Sequence, residues 1–422
     1  MKKRILILLL SFILLLTACQ NLTSKDEQIH AEKTDENLDE EDNQSDANQQ
    51  PNTQDDKSTE AEPETEPEPS YQTIRIKAVG DLLYHTPLLA HGKNHGTDGN
   101  YDFSRQYALI SDFIKDADFA VANFEGSSNP NYPADGYPMF NTPKDVFGYV
   151  KEAGFDLLST INNHTLDTYL EGLETTIQGI EESGLDNFGS QVDPANRIKI
   201  FDIEGVHVAF LGYTDNFNGM DFLLDTPEKE AMANRLDADL IKADIAEAKQ
   251  KGADAIIIYP HWGDEYTSKP RPNYVTLARQ MIDWGADVVL GNHPHVTQPE
   301  EWYETEDGRQ GYIIYSMGNF ISNQTLETLN DIRTEQSVVV EVAITKEMHS
   351  GQTKLEDVTA HPTWMMRTVD EFGGWLHQPV IAKDYMPGGS KSEGLNQEQL
   401  NRASKAYQMV SDTLKASPIE GQ

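Results

Sequence analysis

Six short polar clusters carry the residues of this chain that could do chemistry. They are Gly80-Asp81, Asn123-Phe124-Glu125, Asn162-Asn163-His164, His261-Trp262-Gly263, Gly291-Asn292-His293-Pro294-His295 and Ser316-Met317-Gly318-Asn319-Phe320. Carboxylate, amide oxygen and imidazole, with no thiolate, suit a borderline or hard divalent cation such as Zn, Mn, Fe, Mg or Ca. The spacing His293-x-His295 on an extended segment turns both rings to one side, because strand side chains alternate. Two imidazoles there could hold one metal or two adjacent ones sharing a carboxylate, an arrangement that activates water for in-line attack. Each residue alone also has a plain structural reading: Asp81 capping a turn, Asn163 bonding its own loop backbone, His261 packing on Trp262. Only the arrival of the clusters together makes a site.

Each cluster follows an apolar run. The runs 73–80, 118–124, 155–161, 206–213, 254–260, 287–291 and 311–318 read as strands, several of them apolar throughout, as strands covered on both faces are. Between them lie helical patterns: Leu170, Leu173, Ile177 and Ile180 form one stripe, and others run over about 237–251 and 274–284. Strand, helix, strand in this order predicts an α/β fold with right-handed crossovers, in which ligands bind beyond the carboxyl ends of the strands. After Ser337 the pattern changes to alternating strands, 337–345 and about 354–360. The stripe Leu400, Ala403, Tyr407, Val410 and Leu414 predicts a terminal helix docked on the core.

The first 19 residues read as an export signal. Lys2, Lys3 and Arg4 precede a short apolar stretch, Ile5 to Leu16, and then Thr17-Ala18-Cys19. A helix of that length is too short to span a bilayer. Cys19, the single cysteine of the chain, stands at the expected cleavage point, so no disulfide framework is available. Residues 20–70 carry 17 acidic residues against three lysines and read as a disordered acidic tether. Removing that −14, and the +3 of the signal, from the chain's −37 leaves −26 on the body, a charge that argues against nucleic acid and anionic lipid as partners.

The ordered series of motifs resembles the CapA/PgsA proteins of poly-γ-glutamate capsule synthesis, over about residues 74–322. The shared marks are Gly80-Asp81, Asn123-x-Glu125, Asn162-Asn163-His164, His261-Trp262-Gly263-x-Glu265-Tyr266, His293-Pro294-His295 and Tyr315-Ser316-x-Gly318-Asn319-Phe320. Through that family the chain is similar to calcineurin-like metallophosphoesterases, which implies a four-layer α/β/β/α sandwich with a metal site at the strand ends. The resemblance implies Asp81 and His295 on a first metal, His261 and His293 on a second, Glu125 between them, and Asn163 as an amide ligand. It implies His164 as the acid that protonates a leaving group; the N-terminal segment resembles a bacterial lipoprotein signal with Cys19 as the lipidation site, and the ligand chemistry leaves Mn, Zn or Fe as the expected metal, one ion or two. Asn123, Asn162, Glu265, Ser316 and Asn319 complete the expected pocket. Three positions depart from the expected pattern: Leu83 stands where the histidine of Asp-x-His is usual, Glu125 where an aspartate is, and Asn292 where family members commonly carry a further histidine, though the His293-x-His295 pair is intact.

The expected organisation is a lipoprotein signal (1–19), a linker (20–70), a CapA-like domain (71–370) and a C-terminal extension with an amphipathic helix (371–422). Three functions follow as expectations. The first is a lipid-anchored extracytoplasmic component of poly-γ-glutamate synthesis and export, working with membrane subunits. The second is a metal-dependent phosphoesterase or amide hydrolase with another extracellular substrate. The third is a surface protein that binds without catalysis.

Overall fold

The apolar runs of the sequence become the inner strands of two sheets. The computed structural model describes residues 69–419; the signal segment, Cys19 and the tether as far as residue 68 lie outside them. Strands are numbered in chain order. The first sheet contains β1 (Tyr71–Leu82), β2 (Phe119–Phe124), β3 (Leu157–Ser159), β4 (Asp186–Phe188), β11 (Asn319–Ile321), β12 (Gln336–Glu347), β13 (Thr353–Val369) and β14 (Trp375–Ile381). Its order is β14-β13-β12-β1-β2-β3-β4, with β11 paired to the end of β1. The second sheet contains β5 (Lys199–Ile203), β6 (Val206–Thr214), β7 (Ala255–His261), β8 (Val288–Leu290), β9 (Glu300–Glu304) and β10 (Gln310–Ile314), in the order β5-β6-β7-β8-β10-β9. In both sheets the strands that precede site residues run parallel, so their carboxyl ends share a direction.

The sheets face each other across one apolar core. Ile74, Ile76, Ala78, Val121 and Leu157 of the first meet Val206, Val208, Phe210, Ile257 and Leu290 of the second. Full burial of each larger side chain contributes about 1.5–3 kcal/mol. The outer face of the first sheet is covered by the helices Thr86–His95 and Asp145–Glu152, through Leu88, Leu89, Val146, Phe147 and Val150. The helices Ala238–Gln250 and Pro272–Trp284 cover the second, through Ile241, Ile245, Ala278 and Ile282. The result is the expected helix, sheet, sheet, helix order.

The strands β3 and β10 end well short of their apolar runs. β3 stops at Ser159 because the chain turns, with the Thr165 hydroxyl accepting from Asn162 N at 2.8 Å. β10 stops at Ile314, and Gly318 beyond it has a left-handed φ of 76°. The last helix, Gln397–Leu414, starts at a reciprocal cap between Asn396 and Gln399. It buries Ala403, Ala406, Val410 and Leu414. Tyr407, in the predicted stripe, is 37% exposed, and Ala406 faces inward beside it. No helix among the described residues is long and apolar enough to cross a membrane.

Candidate metal centre

Close backbone approach delivers the site residues. A Cβ on Gly80 would stand 2.0 Å from the Gly318 carbonyl oxygen, and one on Gly291 1.9 Å from that of Tyr315. Glycine is required at both places for the strand ends to converge. The histidine pair is then presented by a turn: His293 has φ 100° and His295 φ 57°, both left-handed. The extended-segment reading of His293-x-His295 is therefore corrected. Such backbone costs about 1–3 kcal/mol per residue in a non-glycine and persists where the surroundings enforce it.

The converging side chains form two overlapping triads, Asp81–Glu125–His295 and Glu125–His261–His293, in which the potential ligand atoms lie within 4.8 Å of one another. Glu125 is common to both. Its Oε1 is 3.7 Å from His261 Nε2 and 3.8 Å from His295 Nε2. Asp81 Oδ1 accepts from Asn123 Nδ2 at 2.8 Å, while Oδ2 lies 3.3 Å from His295 Nδ1. Asn163 Oδ1 is 2.9 Å from His261 Nε2, and that nitrogen is also 3.1 Å from His293 Nδ1.

These residues fit a divalent cation. Among the described residues, Asp81 Oδ2 and both Glu125 oxygens are buried without a hydrogen-bond partner. Unpaired buried carboxylates cost several kcal/mol each when charged. Burial, reinforced by the Asp81 charge, pushes the Glu125 carboxyl well above the usual range. Burial and then the neighbouring His293 hold His261 well below the ordinary imidazole value, and burial and His295 lower His293. Burial also pulls on His295, but Glu125 and Asp81 outweigh it and raise it to about 9. Around His261 Nε2 stand an amide oxygen, a second imidazole nitrogen and a carboxylate, more partners than one ring proton can serve. Carboxylates and imidazoles gathered this way are a metal donor set.

Beside the triads lies a cavity of about 470 Å³, lined in part by His85, Tyr137, Phe140, His164, Glu265 and Tyr266. His164 Nδ1 is 2.7 Å from Asp167 Oδ2, and its ring stands edge-on to Phe140. Asp167 and Phe140 escaped the sequence reading. The spacing His164-x-x-Asp167 is a usable signal for the former, whereas Phe140 reaches the site from a distant loop. His85, four residues beyond Asp81, sits on the cavity wall rather than in either triad.

The other expected pocket residues divide. Asn162 Nδ2 donates to the Phe124 carbonyl at 2.8 Å and its Oδ1 accepts from His164 N, fixing the loop. Asn123 bridges Asp81 and His261, and Asn319 Oδ1 is 3.0 Å from His295 Nδ1. Glu265 lines the cavity. Ser316 does not: its buried hydroxyl accepts from Gly318 N within its own turn.

Residues 75–324 match the model of a family described as bacterial capsule synthesis protein PGA_cap. Among relatives, the chain is 33% identical to "Capsule biosynthesis protein CapA" of Bacillus anthracis over 60% of this chain and 61% of that one. It is 29% identical to "PGA biosynthesis protein CapA" of Bacillus subtilis over 67% and 70%. The chain thus spans about three fifths of the first relative's length. Among solved structures, the calcineurin-like phosphoesterase YfkN of Bacillus subtilis aligns at 16% identity and a TM-score of 0.41, over 81% of this chain and 99% of that one. That likeness is too loose to bear on chemistry. The family match covers more than half of the sequence, and with it the chain belongs to the PGA_cap family of bacterial capsule synthesis proteins.

Proposed function

We propose that this protein is an envelope component of capsule-polymer biosynthesis of the polyglutamate type, exported and lipid-anchored through Cys19, and that it works on the polymer through a divalent-cation centre. The observation that carries the reading is the pair of triads meeting at Glu125, whose buried oxygens have no hydrogen-bond partner among the described residues. Relatives named for capsule and PGA biosynthesis support the pathway. Asp81, Glu125 and His295 would hold one cation; Glu125, His261, His293 and Asn163 would hold the other. A cation bound there supplies Lewis-acid polarisation and relief of carboxylate charge. For a body that repels polyanions, that local positive charge is also the means of engaging one.

The chain's own residues suit a hydrolytic step. Asp167 accepts from His164 Nδ1–H, which leaves Nε2 as the nitrogen that exchanges a proton with a departing group. Phe140, edge-on to the ring, restricts its rotation. Asn162, through the His164 amide, fixes the loop that carries it. The buried position of Leu83, where the superfamily usually has histidine, favours a second reading in which the centre binds polymer without cutting it.

Elemental analysis of the full chain after reconstitution with Mn or Zn tests the centre. The wild type should hold one or two equivalents more than His293→Ala/His295→Ala; equal metal content in the two overturns the proposal. His164→Ala should then retain metal while turnover of polymer or phosphoester falls by about 10²–10⁴. Loss of polymer export with no measurable hydrolysis by the wild type selects the non-catalytic reading.

A further inference from the structure

A second group of metal-ligating side chains lies outside the centre just described. His91 and His95 stand one turn apart on the helix Thr86–His95, and Asp370 lies in the turn between β13 and β14. Their potential ligand atoms fall within 4.8 Å of one another. Residues four apart share a helix face, and here the rings are 4.3 Å apart between centroids. His91 Nε2 is 3.7 Å and His95 Nε2 3.2 Å from Asp370 Oδ2. Zinc bonds of about 2.0–2.2 Å at a tetrahedral angle put neighbouring ligand atoms about 3.3 Å apart, so these spacings suit one ion.

Burial and hydrogen bonding separate this group from a surface accident. His91 is 1% exposed, and neither of its ring nitrogens has a hydrogen-bond partner among the described residues. The contact between His95 and Asp370 accounts for those two residues and leaves His91 unexplained. The turn around Asp370 fixes how its carboxylate points. Oδ1 accepts from Phe372 N at 3.0 Å and Gly374 N at 2.6 Å, so one oxygen is held while Oδ2 faces both rings. Such support is how ligands are held in place at metal sites. Phe372 packs edge-on against His95, and Glu371, clamped by Arg105 at 2.7 and 2.8 Å, reaches to 3.9 Å from His95 Nδ1.

We propose that His91, His95 and Asp370 form a second, separate site for an imidazole-preferring divalent cation of the zinc class, which staples the helix after β1 to the β13–β14 turn. Two histidines and one carboxylate favour Zn, Co, Ni or Cu over Mg or Ca. The staple joins segments 275 positions apart in the chain, counted from His95 to Asp370.

The test uses Zn²⁺ on the full chain, stripped by a chelator and redialysed, with metal counted by elemental analysis. Asp370→Asn is the informative variant, because an asparagine oxygen can still accept from Phe372 N and Gly374 N while the anionic ligand is lost. It should hold one equivalent fewer than the wild type, or bind that equivalent at least about tenfold more weakly. His91→Gln/His95→Gln should lose the same equivalent, and the loss should add to that of His293→Ala/His295→Ala. Cobalt substitution should give a visible absorption band that Asp370→Asn diminishes. If Asp370→Asn, folded by circular dichroism, binds as many equivalents as the wild type with unchanged affinity, the site does not exist. Should the double histidine variant fail to fold, the comparison of Asp370→Asn with wild type decides alone.

Discussion

Glu125 and Glu335 are both 1% exposed, and their surroundings could hardly differ more. Glu335 is fully met. Its Oε1 accepts from Arg402 Nε at 2.9 Å and Trp364 Nε1 at 3.3 Å, and its Oε2 accepts from Leu326 N at 3.2 Å and from Arg402 Nη2. Arg402 also reaches Glu327, which Arg367 holds at 2.6 Å, so the C-terminal helix is latched to the rest of the body by ion pairs. Neither oxygen of Glu125 accepts a hydrogen bond among the described residues; His261 and His295 stand off at 3.7 and 3.8 Å. One buried carboxylate is thus satisfied by the fold, and the other is left for something the fold does not contain. The difference separates structural charge from charge held in reserve.

The strongest way to break the comparison is at the latch. Arg402→Met leaves Glu335 buried without its cation, held only by Trp364 Nε1 and Leu326 N, and chemical denaturation should show a loss of about 3–5 kcal/mol. Arg402→Met/Glu335→Met should recover most of it, since an apolar pair replaces a buried ion pair at little cost. A smaller effect, with the opposite sign, is expected at the centre. In chelator, Glu125→Gln should be no less stable than the wild type, and more stable by up to about 1–3 kcal/mol, while its metal content falls. If Glu125→Gln instead destabilises the chelated protein as much as Arg402→Met does, the carboxylate is structural and the contrast fails.

The weakest effect depends on pH. The hydrogen bond from Arg402 chiefly, with help from Arg367, holds Glu327 down to about 2 from an ordinary 4.5. A carboxyl depressed by folding binds fewer protons folded than unfolded, so its contribution is complete above about pH 4.5 and is lost as pH falls towards 2. Solvent screening at this part-exposed site keeps it below about 1 kcal/mol. Denaturation of wild type and Glu327→Gln at several pH values should show a gap that closes over that window. A gap that stays constant from pH 6 to 2 would assign the effect to packing rather than charge.

The long apolar strands were legible because both faces are covered, so composition alone marks β1, β6 and β7. Edge strands such as β5, KIFDI, and β9, EEWYE, mix polar and apolar residues and show no such signal. The three-residue strands β4 and β11 are set by their neighbours rather than by their own sequence. Asp81, Glu125, His261 and the His293/His295 pair were legible because polar residues follow apolar runs at strand ends. What joins them was not: Phe140 behind His164, or Asp370 beside His91 and His95, depends on contacts between distant segments that no local pattern records. Ser316 shows the converse, a motif residue whose hydroxyl serves only its turn.

β1 begins at Tyr71 and runs through the first sheet to Asp81, with an irregularity in its pairing between Ala78 and Asp81. Ten steps at about 3.3 Å per residue put the point of entry roughly 33 Å from the carboxylate. The residue that opens the strand and the carboxylate near its end thus lie on opposite edges of the sheet, and the parallel strands β2 and β3 deliver their site residues to the same edge as β1.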